Sequence, residues 1–61
     1  MANKDIRVAL KIADIPYWRV AEELGVSENT ILRRMRTELT AEDRIKFLAA
    51  IDNIKKENEE D

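Results

Sequence analysis

The first signal in the chain is periodic: Ile6, Ala9, Leu10 and Ala13 recur at intervals of three and four, which is one face of an α-helix. Asn3 stands where an N-cap is expected, because a short polar side chain there can accept from a free first-turn N–H. Pro16 disfavours helix at Ile15 and suits the first turn of a following helix, so the first helix is predicted to end near Asp14. Tyr17 to Leu24 reads as a second helix with Val20, Ala21 and Leu24 inward, and Gly25 stops it where a left-handed residue is commonly needed. Ser27 is a strong N-cap for a third helix that turns Ile31 and Met35 inward, one turn apart, and closes around Thr37. Thr40 opens a fourth, with Asp43 three residues on completing an approximate capping box. Its apolar face is drawn from Ile45, Leu48, Ala49 and Ile51, extended by Phe47 and Ile54, and the helix is expected to fray into the terminal Lys-Lys-Glu-Asn-Glu-Glu-Asp.

No strand-like alternation, internal repeat or dividing linker interrupts this pattern. The expected fold is all-α: a compact four-helix domain over residues 1–56, with 57–61 an acidic, disordered tail. At 61 residues the chain has room for one core, and a chain this short buries only about 60% of its unfolded surface, which argues against a deep substrate cavity. It contains no Cys and no His. Thiol nucleophiles, disulfides, soft metal sites and the commonest general base are thereby removed, and no metal or cofactor is expected. No apolar run approaches the roughly 20 residues that span a bilayer, and the N-terminus lacks the apolar stretch of a secretory signal, so a cytoplasmic protein without a membrane partner is expected.

The net charge of −2 is misleading until it is divided along the chain. Residues 57–61 hold four acids and no base, leaving eleven bases against nine acids over 1–56. Three of the bases, Arg33, Arg34 and Arg36, fall within four positions. A local basic cluster of this kind is compatible with nucleic acid, while the low overall charge predicts modest nonspecific affinity.

The informative segment is Tyr17 to Arg36, YWRVAEELGVSENTILRRMR. Two short helices separated by Leu-Gly-Val-Ser must cross steeply, and Ala21 supplies the close approach, Gly25 the turn, and Val20, Leu24, Val26 and Ile31 the core between them. This is the pattern of a helix-turn-helix whose second helix enters the major groove. Over residues 3–54, and most sharply over 18–36, the chain resembles the lambda-repressor-like (Cro/repressor-type) helix-turn-helix family of short bacterial and phage regulators. It departs from that family where Arg34 stands three positions after Ile31 in place of an apolar residue, with Met35 taking the inward role.

The resemblance implies that the start and outer face of the third helix read bases, which selects Ser27, Glu28, Asn29, Thr30, Arg33 and Arg36. The chemistry agrees: Asn pairs bidentately with adenine and Arg with guanine, while Glu28 can accept from cytosine N4 or serve the helix dipole. Phosphate contacts are expected from Tyr17, Arg19 and Arg34 around the start of the second helix and the groove edge. Trp18 is expected to pack in the core beside the first helix. Specific binders of this class usually pair across a two-fold axis, so a homodimer is expected, in solution or only on DNA, with Val8 and Ile12 or Ile51 and Ile54 as its contact.

Adjacent carboxylates such as Glu22 with Glu23 and Glu42 with Asp43 point to different sides of a helix and cannot converge on a reacting bond. No enzyme and no small-molecule substrate is expected. The expected function is sequence-specific binding of double-stranded DNA, as a transcriptional repressor or regulator of a bacterium, phage or mobile element. Two rivals stay open on the residues alone. One is a non-catalytic protein-interaction module on the same fold, such as an antirepressor, a recombination-directionality factor or an assembly adaptor; the other is a purely structural helical bundle.

Overall fold

The computed structural model describes residues 2–59, and Met1, Glu60 and Asp61 lie outside it. Four helices follow one another: α1 (Lys4–Ala13), α2 (Tyr17–Leu24), α3 (Glu28–Met35) and α4 (Ala41–Glu59). No strand occurs among the described residues, so the fold is a small all-α four-helix domain. None of these helices is long and apolar enough to cross a membrane.

The helices end where local chemistry says they should. Pro16 in extended backbone precedes α2, and Gly25 closes it at φ 70° with its N–H returned to Ala21 and Glu22 carbonyls. A Cβ built on Gly25 would meet nothing within 4 Å. Substitution there is therefore opposed by backbone strain alone, about 1–2 kcal/mol for an ordinary L-residue in the left-handed region. Gly25→Val should lower stability by that amount or more, and Gly25→Asn by much less; equal melting temperatures for the two variants would contradict this account. Ser27 caps α3 by accepting the Thr30 N–H at 3.2 Å, and Thr40 caps α4 by accepting the Asp43 N–H at 3.1 Å.

The core is drawn from every helix: Ile6 and Leu10 of α1, Val20 and Ala21 of α2, Ile31 and Met35 of α3, and Phe47, Ala50, Ile51 and Ile54 of α4, joined by Ile15 and Leu39 from the connections. Leu24 and Val26 pack against it from the turn. α2 is the central element, packed on α3 on one side and α4 on the other, while α1 packs on α4.

Four expectations are corrected by this packing. α4 buries Phe47, Ala50, Ile51 and Ile54, whereas Ile45, Leu48 and Ala49 face outward. The helix carries apolar residues nearly all round, so two overlapping stripes compete for the core, and the one bearing Phe47 fills it. Ile51 and Ile54 are 5% and 2% exposed and so offer no dimer contact. Trp18 is 54% exposed, because it lies two residues before Val20 and so on the opposite side of α2; Tyr17, one turn before Ala21, packs against the core instead. Finally, α4 continues to Glu59 without a break at residue 56, and its Glu57 is ion-paired to Arg19. The rest of the expected tail, Glu60 and Asp61, lies outside the described residues.

Asn3 departs from its expected role as well. It sits at φ 58° and makes no side-chain cap bond to α1. It is buried to 1% exposure, and its amide is spent on the connection between α3 and α4.

Candidate nucleic-acid interface

α3 is fixed at both ends before any partner arrives. At its start the Ser27 and Thr30 hydroxyls are hydrogen-bonded to each other at 2.9 Å, in addition to the Ser27 cap. At its end the side chains of Asn3 and Arg7 reach across from α1. Asn3 Nδ2 donates to the Met35 carbonyl at 3.2 Å and to the Thr37 carbonyl at 2.8 Å, while Asn3 Oδ1 accepts the Leu39 N–H at 2.9 Å. Arg7 Nη2 donates to the same Met35 carbonyl at 2.9 Å, Nη1 to the Tyr17 hydroxyl at 3.2 Å and Nε to the Ala2 carbonyl at 2.9 Å. A guanidinium at the carboxyl end of a helix also complements its dipole. The sequence reading missed Arg7 and saw Asn3 only as a cap for α1, since their partners on α3 and beyond lie 28 or more positions away.

With Ile31 and Met35 turned into the core, helical spacing dictates what α3 presents outward. Asn29, Leu32, Arg33 and Arg36 are linked by steps of three and four and are all exposed. They form one outer face. Leu32 was not singled out in the sequence; it adds an apolar group of the kind that can meet a thymine methyl. Ser27 and Glu28 are exposed at the amino end of α3, whereas Thr30 and Arg34 are half-buried on its flank. The structure thus brings Asn29, Arg33 and Arg36 together and leaves Ser27 and Thr30 engaged with each other.

Every ion pair among the described residues involves Arg19, Arg44, Lys46 or Lys56, so Arg33, Arg34 and Arg36 have no carboxylate partner. No family model, curated protein or solved structure matches this chain. The site is accordingly judged on its own geometry.

The residues expected to touch phosphate divide three ways. Arg19 is ringed by Glu22, Glu23 and Glu57, which neutralise it and hold it toward α4. Tyr17 accepts from Arg7, which leaves its own hydroxyl proton free to donate. Arg34 is half-buried on the flank of α3 and has no acidic partner among the described residues. At the opposite corner Arg44 bridges Asp5 and Glu38. Its hydrogen bond is the main cause holding the Asp5 carboxyl below the usual carboxylate value, and Asp5 in return raises the Arg44 guanidinium. Arg44 is half-buried but both carboxylates are solvent-exposed, so the pairs fix this corner more than they stabilise the fold. No cluster of three or more acidic, His or Cys side chains suited to a metal occurs among the described residues.

Proposed function

We propose that this chain binds double-stranded DNA sequence-specifically by laying α3 in the major groove, and that it acts as a transcriptional regulator, most simply a repressor, without catalysing a reaction. The observation that carries this reading is the outer face of α3, where Asn29, Arg33 and Arg36 stand exposed together and the arginines have no acidic partner among the described residues. A helix with its side chains is about 10–12 Å across, which suits a groove about 12 Å wide. Arg33 and Arg36 would pair with guanine, Asn29 with adenine, and Leu32 would pack on a thymine methyl. Tyr17 and Arg34 would donate to flanking phosphates and so set register rather than sequence. Arg19, already matched by three carboxylates, is left out of the proposed contacts. The resemblance to lambda-repressor-like regulators supports the same assignment of α2 and α3.

The test is selection from a random duplex library, followed by salt titration of the best site for the parent chain and for Arg33→Ala with Arg36→Ala. A defined motif should be enriched, and the double substitution should weaken binding to that site by at least tenfold, each base contact being worth about 1–3 kcal/mol. Arg34→Ala should instead weaken all sequences alike and reduce the salt slope by about one unit. No enrichment, together with equal binding by parent and double variant, would overturn the proposal.

A further inference from the structure

Trp18 is the aromatic side chain that the core leaves out, and it borders an open cleft of about 200 Å³. The cleft lies where the α1–α2 turn meets the carboxyl half of α4. Ile15 and Ile54, both buried, form its base, while Asp14, Arg19 and Asn58 contribute its polar groups. No residue of α3 lines it, so the face proposed to read DNA takes no part. Its volume is below the roughly 300–1,000 Å³ of a typical small-molecule pocket and suits one inserted side chain.

The charge around the cleft decides what it attracts. Arg19 already meets Glu22, Glu23 and Glu57 and so offers little to an anion. Asp14 is exposed and has no basic partner among the described residues. Lys11 stands one turn before Asp14 on α1, Lys55 and Glu59 adjoin Ile54 and Asn58 on α4, and Asp52 and Lys56 neutralise each other. Asp14, Glu22, Glu23, Glu57 and Glu59 thus stand against Lys11, Arg19 and Lys55, five acids to three bases. In addition α1 ends at Asp14, and the carboxyl end of a helix favours a cation. An exposed indole in an acidic setting has the same preference.

We propose that this cleft receives an arginine side chain of a partner protein, its guanidinium stacked on the Trp18 indole and forked onto the Asp14 carboxylate, with the Asn58 amide oxygen as a further acceptor. Arginine fits better than lysine, because its planar guanidinium is weakly hydrated, stacks on aromatic faces and matches a carboxylate with two parallel donors. Its aliphatic stem lies on Ile15 and Ile54. Tryptophan and arginine are the residue types that most often anchor a protein interface. A single anchor is weak by itself, with a dissociation constant of about 1–10 mM for an isolated side chain, and gains affinity from the contacts around it.

Trp18 is the chain's single tryptophan, so its fluorescence reports on the cleft directly, without DNA and so independently of the proposed function. The probe is the capped peptide Ac-Gly-Arg-Gly-NH2, titrated into the full chain at constant ionic strength beside its lysine, citrulline and glutamate analogues. Emission should change saturably with a dissociation constant of about 1–10 mM. The lysine analogue should bind about fivefold and the neutral citrulline analogue about tenfold more weakly, and the glutamate analogue should leave the emission unchanged. Asp14→Asn removes the charge but keeps a residue that tolerates φ 57°, and Asn58→Lys sets a cation at an exposed position. Each should keep the parent melting temperature and weaken the arginine peptide about fivefold or more. No saturable change up to about 50 mM peptide, no preference over the lysine or citrulline analogue, a preference for the glutamate analogue, or parent-like binding by either variant would each overturn the assignment.

Discussion

Replacing Asn3 with leucine should destabilise this domain by about 2–5 kcal/mol. Two costs add. The Leu39 N–H, now bonded to Asn3 Oδ1 in a buried site, would lose its acceptor, worth about 1–3 kcal/mol. Leucine would also have to hold φ 58°, a left-handed conformation that asparagine tolerates and that costs most other residues about 1–2 kcal/mol. A 61-residue chain has a total stability on the order of 3–9 kcal/mol, so much of the population should be unfolded at physiological temperature. Asn3→Gly separates the two costs, since it keeps the backbone freedom and removes only the hydrogen bonds; it should fall between parent and Asn3→Leu. Asn3→Asp keeps the acceptor for Leu39 but turns a carboxylate oxygen toward the Met35 and Thr37 carbonyls, and should also be destabilised. Thermal unfolding followed by circular dichroism decides the matter, and an Asn3→Leu midpoint within about 2 °C of the parent would refute the assigned role.

The second large effect concerns the register of α4. Phe47 is fully buried, at 0% exposure, while Ile45, two residues earlier, lies mostly in solvent. Phe47→Ala should cost about 3–5 kcal/mol through lost burial and a residual cavity, which in a domain this small lowers the melting temperature by roughly 15 °C or more. Ile45→Ala should stay within about 0.5 kcal/mol of the parent. Reversed magnitudes would mean that the helix buries the stripe of Ile45, Leu48 and Ala49 after all.

Both predictions bear on function through α3. Asn3 and Arg7 hold the carboxyl end of that helix, and Phe47 belongs to the core into which Ile31 and Met35 are turned. A loss at either place would reduce the proposed DNA binding by depopulating the folded state, with the preferred sequence unchanged. Arg33→Ala and Arg36→Ala should do the opposite, leaving the melting temperature alone while relaxing the sequence preference. The pairing of a binding assay with a melting curve therefore separates residues that read from residues that hold the reader.

Sequence by itself determined the local part of this protein. The bounds of α2 and α3, the left-handed Gly25 and the Ser27 and Thr40 caps follow from interactions spanning at most four or five residues, which adjacent side chains and backbone conformation settle. The inward turn of Ile31 and Met35 was legible because α3 carries one clear apolar stripe, and with it the outward placement of Asn29, Arg33 and Arg36. Only the tertiary structure decided which of the two stripes of α4 is buried, that Arg19 is neutralised by Glu57, and that Asn3 and Arg7 fasten the end of α3. The physical reason is common to all three: each depends on partners brought from about 30 positions away or on competition between near-equal apolar faces, and helical periodicity carries no information about either.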